Sequence, residues 1–119
     1  MHAFKQDLTE FLQHLTTPEH QFADTLSFIK TWFEVKPSAF KNGRIHSDAD
    51  HNQGSCQILA LAQLLGLTTE QTLLCFGEHY RHVQATPNGD THLNLREIIH
   101  QPDRTVEFEH FPLQRKDTH

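Results

Sequence analysis

Apolar residues recur along this chain at helical spacing, separated by short polar turns. Phe4, Leu8, Phe11, Leu12 and Leu15 fall at helical spacing, which predicts an amphipathic helix over residues 3–15. Thr17-Pro18 reads as the start of a second helix, with Thr at the N-cap and Pro at the first helical position. Phe22, Leu26, Ile29 and Phe33 form its stripe, Phe28 and Trp32 widen it, and it stops before Pro37. Gly54-Ser55-Cys56 opens the most apolar segment. There Ile58, Leu59, Ala60, Leu61, Ala62, Leu64 and Leu65 are apolar almost all round a helix, as in a buried central helix, with Gly66 as its stop. Thr68-Thr69-Glu70-Gln71 has the form of a capping box and starts a fourth helix carrying Leu73, Leu74, Phe76, Tyr80 and Val83. A Thr86-Pro87-Asn88-Gly89 turn follows. Asp90 is the expected N-cap of a fifth helix with Leu95, Ile98 and Ile99, ended by Pro102.

Two stretches depart from the helical period. Phe40-Lys41-Asn42-Gly43-Arg44-Ile45 has an Asn-Gly turn between short apolar ends, and the polar run from His46 to Gln53 after it reads as a loop. Thr105-Val106-Glu107-Phe108-Glu109-His110 alternates, which suits a half-buried strand whose natural partner is the extended piece near Phe40. The expected class is therefore α+β, mostly helical, with about five helices and a small antiparallel sheet. With 119 residues and no repeat or dividing linker, residues 1–119 are expected to form a single domain.

Charge removes several function classes. Fifteen acidic against ten basic residues, with no basic run, leave no footprint for nucleic acid and no polybasic surface for a membrane. The longest apolar stretch, Ile58–Leu67, is about half of what a bilayer span needs. The amino-terminal residues lack the charged and apolar regions of a secretory signal, so a cytoplasmic protein is expected. Cys56 and Cys75 are expected as free thiols. The eleven histidines are the outlier of the composition. They are dispersed, and His2, His14, His20, His100, His110 and His119 read as surface residues.

Asp48, Asp50 and Asn52 alternate like the first ligands of a calcium loop, but the match fails: Gln53 stands where the turn glycine belongs, and Leu59 where the bidentate acid belongs. His46 and His51 have no characteristic zinc spacing. Neither a metal site nor a cofactor is expected. Cys56 lies in the first turn of a helix, where unpaired N–H groups and the macrodipole favour thiolate. As a nucleophile it would need His79 or His92 as base; as a small apolar residue it would simply pack the central helix. His92 and Arg96 stand four apart on one helix face, and with Tyr80 and Arg81 they would line a polar pocket for a small anion.

Asn52-Gln53-Gly54-Ser55-Cys56, then Phe76-Gly77-Glu78-His79-Tyr80-Arg81, then Pro87-Asn88-Gly89-Asp90-Thr91-His92-Leu93-Asn94-Leu95-Arg96 occur in an order and spacing that resembles the HopJ type III effector family of small bacterial proteins. Pro37–Gly43 upstream and Val106-Glu107-Phe108 downstream extend the resemblance over residues 22–113. Pro102-Asp103 stands where the family often has Gly-Trp. The resemblance implies a small bacterial domain and carries no established biochemical activity. The site is expected where these strings meet, with Asn52, Ser55, Tyr80, Arg81, Asn94 and Arg96 binding a protein partner or a small polar or anionic ligand. The alternative is a hydrolase or transferase using Cys56 with His79 or His92. A secreted effector acting on a host partner is the third reading, against which the helix over residues 3–15, with Asp7 and Glu10, replaces the Ser-rich, acid-poor leader usual in such proteins.

Overall fold

In the computed structural model, which describes residues 2–116, the elements run in chain order. They are α1 (His2–Leu15), α2 (Phe22–Trp32), β1 (Phe33–Val35), β2 (Phe40–Asn42), β3 (Ile45–Ser47), α3 (Gln53–Leu65), α4 (Thr69–Leu74), α5 (Glu78–Ala85), α6 (Leu93–His100), β4 (Val106–Phe108) and β5 (Leu113–Arg115). The class is the α+β one expected, mostly helical with small antiparallel sheets. No helix among the described residues is long and apolar enough to cross a membrane. Of the histidines read as surface residues, His119 and the side chain of His2 lie outside what is described.

The core forms around α3, whose Cys56, Ile58, Leu59, Ala60 and Leu61 are buried against Phe28 and Ile29 of α2, Phe11 and Leu15 of α1, and Leu95 and Ile98 of α6. Gly66 ends the helix in the left-handed conformation. At the start of α4 the Thr68–Gln71 capping box is reciprocal, at 3.0 and 2.9 Å. The Asn42-Gly43 turn closes a β2–β3 hairpin, and β2 pairs antiparallel with β4 so that Phe40 lies opposite Phe108, the partnership expected from the alternating pattern.

Four boundaries differ from expectation. Thr16 and Thr17 close α1 rather than open α2, because their hydroxyls donate to the carbonyls of Gln13 and His14. The real start is Gln21, whose N–H is accepted by the Asp24 carboxylate at 2.9 Å. Phe33 leaves the helix and becomes the first residue of β1, which pairs with β5 in a register that sets it opposite Arg115. That non-local pairing overrides the helical spacing of Phe33. The third difference is that the expected fourth helix is two, α4 and α5, broken at Gly77. Gly77 has φ +56°, and a Cβ there would lie 2.5 Å from the Phe22 amide nitrogen and 2.6 Å from the Gln21 carbonyl carbon. Only glycine allows the α4–α5 link to pass this close to the start of α2. Finally, α6 is capped by His92 rather than Asp90. The buried Arg96 guanidinium donates to the carbonyls of Thr86 and Thr91 and to the Thr86 hydroxyl, which gathers residues 86–91 into a loop ahead of the helix. His20, read as a surface residue, is buried, 1% exposed.

Gly77→Ala is expected to destabilise the fold by about 2 kcal/mol or more, from left-handed strain plus the clash with the α2 backbone. Urea unfolding checks this; an unchanged midpoint would show that the α4–α5 link has room to move.

Candidate functional site

Three hydrogen-bonded supports shape one cleft. Gln53, in the first turn of α3, exchanges hydrogen bonds with Ser38, accepting from its N–H and donating to its carbonyl, and also donates to the carbonyls of Asp48 and His51. This straps the 48–51 loop down and holds Asn52 in the left-handed conformation, φ 57°. The same loop closes on itself through Asp48, whose carboxylate accepts from the Asp50 N–H at 3.0 Å and pairs with His51 at 2.6 Å. Hydrogen bonding to His51 lowers the Asp48 carboxyl from its ordinary value, and the same bond raises the His51 imidazole. On the opposite side the buried Asn42 amide donates to the main-chain and side-chain oxygens of Asn94, fixing α6 to the hairpin. Glu97, one turn further on, accepts from both the side chain and the N–H of Arg44.

Between these supports lies a cleft of about 530 Å³. Phe22, Leu26, Phe76 and Leu95 give it an apolar part; His46, His79, His92, Asn52, Ser55 and Asn94 give it a polar one. The His79 and His92 rings lie 4.8 Å apart between centroids, His82 stands 5.6 Å from His92, and the Phe22 ring meets His79 edge-on at 4.7 Å. Burial, reinforced by His79, His82 and Arg96, lowers the His92 imidazole from its ordinary value, so it is neutral at pH 7. First-turn residues of three helices border the cleft: Gly54 and Ser55 of α3, His79 of α5, and Leu93, Asn94 and Leu95 of α6. The N-cap residue of none of the three makes a side-chain cap, although at the start of α5 the Glu78 carboxylate accepts from its own N–H. That of α2 differs, since its Phe22 N–H is accepted by the Glu78 carboxylate at 2.7 Å.

Of the residues singled out in the sequence, the cleft gathers Asn52, Ser55, His79, His92 and Asn94. It does not include the others. Cys56 is fully buried, its thiol donates to the Ser38 carbonyl at 3.7 Å, and burial pushes its pKa up to about 11. Burial disfavours the thiolate that a reactive cysteine needs, and the Cys56 side chain packs in the core. Tyr80 and Arg96 border a separate, mainly apolar groove of about 300 Å³ with Leu73, Val83 and Ile98. Arg81 donates to the His20 carbonyl at 3.2 Å. Sequence reasoning missed His46 and Phe22 as cleft residues. Gly54 carried a signal for Phe22, since a Cβ there would lie 2.5 Å from its ring.

A family model described as HopJ type III effector protein matches residues 8–113. Among solved structures, the chain is similar to the crystal structure of a protein of unknown function, VPA0580. It is 36% identical to that protein, the match covers 92% of this chain and 93% of the other, and the TM-score is 0.83. No curated protein matches it.

The depressed His92 pKa sets a sign. The unfolded imidazole takes its proton near pH 6.5, before the folded one does. His92 therefore adds nothing above that pH, and it lowers stability as pH falls from about 6.5 through its folded value. His92→Asn, which keeps a residue tolerant of the left-handed conformation, is expected to flatten the fall in melting temperature between about pH 7 and pH 5. Parallel curves for the two proteins would contradict the assignment.

Proposed function

The chain belongs to the HopJ family, and from that premise and the geometry of its cleft we propose that it is a non-enzymatic binding protein for a small organic anion. The observation that carries the reading is the make-up of the cleft. Three helix starts, of which those of α3 and α6 carry no side-chain cap, and three imidazoles border it, and no carboxylate is among its lining residues. N–H groups at helix starts and the macrodipole both favour negative charge there. The aromatic and leucine side chains suit an apolar body attached to the anionic group, as in an aryl or alkyl carboxylate. Asn52, Ser55, His79, His92 and Asn94 supply the polar contacts, with His46 added to them. Arg81 and Arg96 bond the surrounding backbone, and Tyr80 borders the separate groove. The cysteine-enzyme reading loses support with the burial of Cys56.

The protein is read as resident in the bacterial cytoplasm rather than exported. What supports this is α1, whose Phe11 and Leu15 are core residues, so that the amino-terminal helix belongs to the folded domain. A reporter carried on α1 and α2 is expected to stay in the bacterium; type III-dependent delivery into host cells would reverse the reading.

Binding is tested with benzoate, sulfate and neutral benzamide, followed by amide shifts in two-dimensional NMR. Benzoate is expected to shift Gly54, Ser55, His79 and Leu93–Leu95, and sulfate a subset of them. Because an anion favours the imidazolium, affinity is expected to rise as pH falls from 7.5 to 6. His79→Ala should weaken benzoate about tenfold, the loss of one charge-assisted hydrogen bond. Equal shifts with benzamide, or shifts scattered away from the cleft, would sink the proposal.

A further inference from the structure

The bend between α1 and α2 holds a second group of histidines, none of which lines the cleft. His20 is buried and its ring is held at both nitrogens. Nε2 lies 2.7 Å from the Thr25 hydroxyl, and that hydroxyl spends its single proton on the Cys75 carbonyl, also at 2.7 Å. Thr25 must therefore accept from His20, which places the proton on Nε2 and leaves a bare lone pair on Nδ1. That lone pair meets Nδ1 of His14 at 2.7 Å. Asp24 joins the pair: one ring nitrogen of each histidine and a carboxylate oxygen of Asp24 lie within 4.8 Å of one another. Asp24 is oriented by the Gln21 N–H, and a carboxylate retains acceptor capacity beyond one such bond.

From this geometry we infer that His14, His20 and Asp24 form a binding site for a divalent transition metal of the zinc class, which clips the end of α1 to the start of α2. The Thr25–Cys75 relay is the outer support such a site needs, because it fixes the tautomer and the ring plane of the buried ligand. Two imidazoles and a carboxylate, with no thiolate, suit Zn(II), Co(II) or Ni(II) better than Mg(II), Ca(II) or Cu(I).

The exchange balances. Without metal, the His20 lone pair is satisfied by the proton on His14 Nδ1. With metal, the ion takes that position, the Nδ1 proton of His14 leaves to solvent, and its Nε2 takes one up. The proton His14 gives up at Nδ1 is matched by the one it gains at Nε2. Nitrogens bound tetrahedrally to zinc stand about 3.3 Å apart, so the rings must separate by roughly 0.6 Å. His14 is exposed, in the last turn of α1, and can yield while His20 stays fixed. The fourth position is left for water or an added ligand.

The test uses the full, tag-free chain stripped of metal with a chelator, titrated with Zn(II) at pH 7.5 against a chromogenic competitor. One equivalent is expected to bind at micromolar or tighter affinity, to raise the melting temperature, and with Co(II) to give four-coordinate visible bands. His14→Ala and Asp24→Asn should each weaken binding at least tenfold, while His110→Ala leaves it unchanged. Because His20→Ala removes a core side chain, His20 is read instead by long-range nitrogen–proton NMR. It should be the Nε2–H tautomer before metal, and its Nδ1 should shift with zinc. An Nδ1–H tautomer, undiminished binding by His14→Ala, binding weaker than micromolar, or zinc shifts at His79 and His92 in place of His14 and His20 would each overturn the inference.

Discussion

Asn42 joins the sheet to the helices. Its carboxamide is completely buried, donates twice to Asn94 and accepts from the Arg104 guanidinium at 2.6 Å. A buried amide left without partners costs about 1–3 kcal/mol, so these groups must meet for the hairpin to dock. Apolar contacts alone would tolerate α6 sliding or rotating on β2; the amide pair and the Arg44–Glu97 clamp one turn later admit a single register. His92, Leu93 and Asn94 are carried by that register, and so is one wall of the cleft.

The cleft is thus positioned by residues that do not line it. Asn52 and His92 both sit in the left-handed conformation, at φ 57° and 54°, a geometry that non-glycine residues hold only when their surroundings require it. Gln53 imposes it on one side by bonding the loop carbonyls, and Arg96 on the other by gathering residues 86–91. Both residues lie in the strings that carry the family resemblance, although neither touches the cavity. The polar residues of those strings divide accordingly into a contacting set, Asn52, Ser55, His79, His92 and Asn94, and a positioning set that includes Gln53 and Arg96.

The histidines show where pattern reading stops. His14 and His20 occupy positions that periodicity assigns to the surface or to a turn, and no ligand spacing marks them. They meet because Thr16 and Thr17 turn the chain back at the end of α1 and Thr25 receives the buried ring. Cys56 shows the reverse. Its place in the first turn of a helix was correctly legible, whereas its burial, which raises the thiol pKa, was not.

Local pattern by itself determined the helical stripes, the buried α3, the Thr68 capping box, the Asn42-Gly43 hairpin and the partnership of β2 with β4. Each of these depends on residues close in the chain or on a simple alternation. Tertiary structure alone decided the break at Gly77, the strand at Phe33, the left-handed cap at His92 and the burial of His20. For Gly77 and Phe33 the deciding partner is far along the chain, the α2 backbone and Arg115; for His92 and His20 it is nearer, Arg96 bonding Thr86 and Thr25 bonding Cys75, but it acts through a hydrogen bond that spacing does not mark. Hydrogen-bond satisfaction and close approach act through space, and spacing along the chain does not record them.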